Sequence, residues 1–114
     1  MNDRHGHAVG DAVLRSLGGL LTRSVRTMDV VARWGGEEFL IALPGSGRIG
    51  TDAAARVCRR VRTHPWRHLA DGLGLTVSAG VASGPVAELD VVLARADAAL
   101  YAAKRAGRDQ AVVG

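Results

Sequence analysis

A chain of 114 residues with 47% hydrophobic residues carries one domain with a real core, and an aromatic content of only 4% makes that core aliphatic, built on Ala, Val and Leu. No run approaches the roughly 20 apolar residues of a membrane span, and the N-terminus lacks the charged, apolar and small-residue succession of a signal peptide, so a cytoplasmic chain is expected, with no membrane partner in this segment. The net charge of +4 is spread along the chain, and every basic residue except Lys104 is arginine; without a basic tract, nucleic acid is not an expected partner.

Residues 8–26 place Val13, Leu14, Leu17, Leu20, Leu21 and Val25 at three- and four-residue steps, one face of an amphipathic helix. Gly18 and Gly19 either weaken it or admit a close neighbour. Residues 29–34 read as a strand, Gly35-Gly36 as a two-residue hairpin turn and residues 38–43 as the return strand, which Pro44-Gly45-Ser46-Gly47 ends. A second helix is predicted over residues 51–62, with Gly50 or Thr51 as its cap. Within it Cys58, the only cysteine, excludes an internal disulfide and a multi-thiolate zinc site; among Ala54, Val57 and Val61 it reads as a buried, inert thiol.

Residues 64–72 read as irregular and polar, and residues 73–81 as a strand centred on Leu75-Thr76-Val77-Ser78-Ala79. A long helix over residues 86–105 aligns Leu89, Val92, Leu93, Ala96, Leu100 and Ala103 on one face and stops at Gly107. Asp97 lies on that face and reads as structural, and Tyr101 reads as a core residue. Residues 111–113 form a last strand. The order helix, strand, strand, helix, strand, helix, strand implies an α+β fold, one mixed sheet with flanking helices.

Gly35-Gly36-Glu37-Glu38 sets two adjacent carboxylates beside two glycines at a chain reversal. Such acids suit Mg²⁺, which binds oxygen and keeps positions open for phosphates, while the glycines let a ligand approach the backbone. Alone, the same residues read better as a plain solvated Gly-Gly turn flanked by acids. Asn2 alone could be a helix cap, and Lys104 with Arg108 a charge complement to a helix C-terminus. His5 and His7 have no third ligand nearby, which argues against zinc.

Four blocks together carry more. Asn2-Asp3-Arg4-His5-Gly6-His7-Ala8-Val9-Gly10-Asp11 resembles the NDxxGHxxGD pattern of the GGDEF (diguanylate cyclase) family. Arg33-Trp34-Gly35-Gly36-Glu37-Glu38-Phe39 resembles its RYGGEEF hairpin, and Leu75-Thr76-Val77-Ser78-Ala79-Gly80-Val81-Ala82 its TVSIGVA strand. The segment from Ala96-Asp97 through Tyr101 and Lys104 to Gly107-Arg108 resembles its ADxALYxAKxxGRN helix end. All four stand in the family's order and at its spacing.

The resemblance implies a sheet with surrounding helices like the palm of nucleotide cyclases and polymerases, on a ferredoxin-like βαββαβ core. It implies condensation of two GTP into cyclic di-GMP with release of pyrophosphate, by a homodimer whose subunits each hold one GTP, with Mg²⁺ or Mn²⁺ as cofactor. By the same resemblance Glu37 is a metal ligand and the base for the attacking hydroxyl, and Glu38 supports the metal. Gly35 and Gly36 lie along the nucleotide. Asn2, His7 and Asp11 form the guanine pocket, with Asp11 accepting from the purine N1–H and N2–H. Lys104 and Arg108 neutralise the triphosphate. Arg26 and Asp29, an RxxD ahead of Gly35, match a product-inhibition site for cyclic di-GMP; an isolated RxxD would be uninformative. An upstream sensor domain is a further implied partner.

The chain departs from the family pattern at its start. Of DxDxFKxIND only the end, Asn2-Asp3, is present in residues 1–114. The expected reading is one GGDEF domain over residues 1–114 without its first strand: a fragment, a misplaced gene start or a degenerate chain, the first two favoured. Without the aspartate of that strand, a metal ligand in the family, weak or no cyclase activity is expected. The alternative is a non-catalytic module that binds cyclic di-GMP through Arg26 and Asp29, or GTP.

Overall fold

A computed structural model describes residues 6–25, 30–33, 39–43 and 47–114, with the side chains of residues 6, 7 and 30–33 outside that description. Its elements follow the predicted order: α1 (Gly6–Ser24), β1 (Val30–Arg33), β2 (Phe39–Ala42), α2 (Gly47–Thr63), β3 (Ala79–Val81), α3 (Leu89–Arg105) and β4 (Ala111–Val113), with short 3₁₀ turns at Trp66–His68 and Val86–Glu88.

The amphipathic face of α1 builds the core. Val13, Leu17, Leu20 and Leu21 are buried and meet Val57 and Val61 of α2. Burial of this apolar stripe, more than intrinsic propensity, stabilises a helix with two glycines at its centre. Gly18 faces β2: a Cβ there would lie 3.7 Å from Phe39 Cε1, an ordinary contact. α2 is the element shared by both halves of the molecule, packing on α1 and on β3 and β4.

Three segments differ from expectation. α2 begins one turn earlier than the predicted Thr51 cap. The Thr51 hydroxyl instead donates back to the Gly47 carbonyl at 3.1 Å, inside the first turn. The segment 64–72 is less polar than it reads, because Trp66 is 2% exposed and belongs to the core. Its indole Nε1–H donates to the Val61 carbonyl at 2.7 Å, satisfying one of the carbonyls that the end of α2 leaves open. The predicted strand over 73–81 is regular only from Ala79. Leu73, Leu75 and Val77 do alternate with more exposed neighbours and pack on the core, but ladder bonding starts where Ala79 N–H reaches the Gln110 carbonyl at 2.9 Å. Apolar alternation makes a sheet only where a backbone partner is present.

Among the described residues the strands form two ladders where one sheet is expected. β1 and β2 pair antiparallel, and β3 and β4 pair parallel, so the fold is mixed α+β. α3 covers the second ladder by backbone contact. A Cβ at Gly80 would overlap the Ala96 carbonyl oxygen and the Leu100 amide nitrogen, which only the absence of a side chain permits. Ala99 and Ala103 are the buried positions of α3. Tyr101, read as core, is 63% exposed: it points away from the ladder, and the Arg105 guanidinium lies 5.7 Å from its ring centre. Asp97 is exposed as well, so it does not serve the packed face of α3.

Candidate nucleotide and metal site

β1 and β2 flank the acidic motif. Their register pairs Arg33 with Phe39 and Val30 with Ala42, so the connection is residues 34–38, an odd number. Gly35, Gly36, Glu37 and Glu38 themselves lie outside the described residues, as do Asn2, Arg26 and Asp29.

Asp11 occupies the exposed side of α1, two residues before the buried Val13. With Leu14 and Arg15 of the same helix and with Phe39 it lines a shallow hollow of about 360 Å³. The packing of Phe39 toward Gly18 brings the start of β2 to this face of α1. A residue 28 positions away along the chain thus shares a hollow with the first residue after the Glu37-Glu38 pair. Arg15, one helical turn after Asp11, is a basic lining residue that the motif reading passed over; its i+4 spacing is the signal that could have found it. The backbone of His7 lies in the first turn of α1.

Lys104 and Arg108 stand at the far end of α3, both exposed. The helix ends in a Schellman arrangement: Arg108 N–H donates to the Ala103 carbonyl at 3.0 Å and Gly107 N–H to the Lys104 carbonyl at 3.5 Å. Gly107 has φ 121°, as this end requires, but the left-handed backbone continues through Arg108 (φ 65°) and Asp109 (φ 49°). Non-glycine residues in that region cost on the order of 1 kcal/mol or more and persist where the surroundings hold them. Among the described residues two contacts hold this turn from outside: Arg62 Nη1 donates to Asp109 Oδ1 at 3.0 Å, and Gln110 is tied to β3 through Ala79. Arg62 and Asp109 were not singled out from sequence, and residues 47 apart leave no local signal.

A second, basic hollow of about 380 Å³ opens at the end of α1, lined by Leu20, Arg23, Ser24, Arg60, Thr63, His64 and Pro65. Arg56 Nε donates to the Ser24 carbonyl at 2.9 Å, and Arg60 Nη1 to the Ser24 hydroxyl at 3.2 Å. These bonds cap the carbonyl end of α1 with positive charge. The chain reaches position 26 directly afterwards.

Cys58 is buried, and its thiol contacts the Val77 carbonyl at 3.6 Å. Burial raises its pKa above the ordinary 9.0, the charge of Asp109 adds to the rise, and Arg62 partly offsets it. A buried thiol kept protonated is unreactive, as its helical surroundings suggest. Among the described residues no three His, Cys, Asp or Glu side chains form a metal group, and no helix is long and apolar enough to cross a membrane.

The fold defines an α+β domain of the palm-like type. The chain belongs to the GGDEF family, described as diguanylate cyclase, GGDEF domain, whose model matches residues 1–110. It is 39% identical over 112 residues to the diguanylate cyclase DgcZ of Escherichia coli, covering 96% of this chain and 38% of that protein. It is 38% identical over 122 residues to the response regulator PleD of Caulobacter vibrioides, covering 100% of this chain and 26% of that one. The chain therefore spans well under half the length of these relatives. Among solved structures it superposes with TM-score 0.89 on the active GGEEF domain of a diguanylate cyclase from Vibrio cholerae, at 31% identity, covering 98% of this chain and 72% of that one. The GGDEF domain of DgcB from Caulobacter crescentus, in complex with c-di-GMP, matches with TM-score 0.86 at 32% identity, covering 98% and 68%.

Proposed function

We propose that this domain is the catalytic unit of a diguanylate cyclase, which holds one GTP and, in a homodimer, joins two of them into cyclic di-GMP with release of pyrophosphate. The observation that supports this reading most is the shared hollow of Asp11 and Phe39, which sets a carboxylate able to accept from guanine beside the end of the acidic connection. Asn2, His7 and Asp11 recognise the base. Gly35 and Gly36 let the nucleotide lie close to backbone. Glu37 takes the proton of the attacking 3′-hydroxyl, and Lys104 and Arg108 oppose the triphosphate charge.

Glu37 and Glu38 would hold the metal, and paired carboxylates are the hard oxygen donors that Mg²⁺ or Mn²⁺ takes. When bound, the ion neutralises phosphate charge and orients the in-line displacement.

Binding is the first test. A non-hydrolysable GTP analogue with Mg²⁺ is expected to bind in preference to the ATP analogue, and to bind less well to Glu37→Gln. Absence of guanine preference overturns the reading.

A second reading, a binding module for cyclic di-GMP through Arg26 and Asp29, is favoured by the basic hollow at the end of α1. Calorimetry with cyclic di-GMP tests it: binding unchanged in Arg26→Ala, or absent in the parent, rejects it.

A further inference from the structure

The turn after α3 presents Arg108 from a backbone that is left-handed at three successive residues, Gly107, Arg108 and Asp109. Hydrogen bonds within α3 and the turn define where the helix stops: Arg108 N–H to Ala103, Gly107 N–H to Lys104, and Gln110 Nε2 to the Arg108 carbonyl at 3.1 Å. They do not fix the turn against the rest of the molecule. Among the described residues that is done from β3 by the Ala79 bond to Gln110, and from α2 by Arg62, which bonds Asp109 at 3.0 Å.

Arg62 sits in the last turn of α2, one turn beyond the buried Val57 and Cys58 and next to the fully buried Val61. Its backbone is anchored in the core, so its guanidinium is a tether on a rigid mount. The Asp109 carboxylate is the less exposed partner, at 28% against 47% for Arg62. Asp109 directly follows Arg108, so a rotation that releases Asp109 also swings Arg108.

We propose that Arg62 is a positioning residue for the triphosphate. Its ion pair with Asp109 holds the left-handed turn that presents Arg108 at the end of the helix carrying Lys104, and Arg62 itself does not touch the nucleotide. The inference rests on the reading of Lys104 and Arg108 as the phosphate clamp and names a residue outside that clamp on which it depends. A tether of this kind acts by pre-organisation: it removes the cost of ordering Arg108 when the ligand arrives.

The test is a double-mutant cycle on binding of a non-hydrolysable GTP analogue with Mg²⁺, read by calorimetry on parent, Arg62→Ala, Arg108→Ala and the double variant, with thermal melting of each. Arg62→Ala is expected to weaken binding about five-fold, the scale of an exposed ion pair lost from a pre-organised site. In the Arg108→Ala background the same change is expected to do nothing further, because Arg62 acts through Arg108. Swapping the charges, Arg62→Asp with Asp109→Arg, is expected to restore part of the affinity. Arg62→Gln supplies the same comparison should the alanine variant melt early. A parent that does not bind the analogue, or that binds it equally well after Arg108→Ala, overturns the clamp reading and this proposal with it. Loss in Arg108→Ala with no change in Arg62→Ala and Arg62→Gln, or additive losses in the cycle, overturns the proposal alone.

Discussion

Gly80 lies against the backbone of α3, so that a Cβ on it would stand 2.9 Å from Leu100 Cα and overlap the neighbouring peptide atoms. The β3–β4 ladder and the helix that carries Lys104 touch through main chain at this point. Gly80→Ala must push α3 away from the ladder, since no flexible side chain is there to yield. The expected loss of stability is about 3 kcal/mol, at the upper end for overpacking. Urea unfolding followed by circular dichroism measures it, and a loss under about 0.5 kcal/mol would contradict this packing.

Trp66 seals the end of α2. Truncating a buried tryptophan costs about 3–5 kcal/mol, so Trp66→Ala is expected to lower the melting temperature sharply. Trp66→Phe separates the two roles of the ring. The Val61 carbonyl keeps a backbone bond from His64 N–H at 3.3 Å, so loss of the indole donor adds only about 1 kcal/mol.

Cys58 makes stability depend on pH. Its folded pKa is raised, so the unfolded chain releases the thiol proton first as pH rises. The contribution is fully present below the ordinary thiol value and is lost as pH climbs through it toward the folded value. Comparing urea midpoints of the parent and Cys58→Ala between pH 7 and 10 isolates the effect from other groups titrating there. The parent is expected to fall further than the variant, and parallel curves would show that the thiol carries none of the dependence.

Asp11 decides base choice on the proposed reading. Asp11→Ala removes a charged acceptor worth about 1.5–3 kcal/mol, which predicts a ten- to hundred-fold loss of GTP-analogue affinity with little change for the ATP analogue. Competition binding with both analogues checks it. Equal losses for the two nucleotides would place Asp11 in general phosphate or structural support.

The order of elements was legible because it depends on local periodicity. The stripe Val13, Leu17, Leu20, Leu21 and the run ending at Gly107 state their helices without reference to anything distant. Errors fell where a non-local partner decides. Residues 75–78 have strand propensity but no ladder partner among the described residues, and Trp66 enters the core because α2 ends where it does. Tyr101 shares the helical spacing of core residues yet faces outward, since the ladder approaches α3 along the line of Gly80, Ala99 and Ala103.

The candidate site divides the same way. Chemistry that resides in residue type and spacing was already present in the chain: the Gly35-Gly36-Glu37-Glu38 acids, Asp11 at the close of its motif, and Lys104 and Arg108 four apart across a helix stop. Only the folded molecule places Phe39 against α1 so that it shares a hollow with Asp11, and only it pairs Arg62 with Asp109 behind Arg108. Both relationships join residues from different elements. No periodicity records such a meeting, because it follows from how α1, α2 and the two ladders bury their apolar faces against one another.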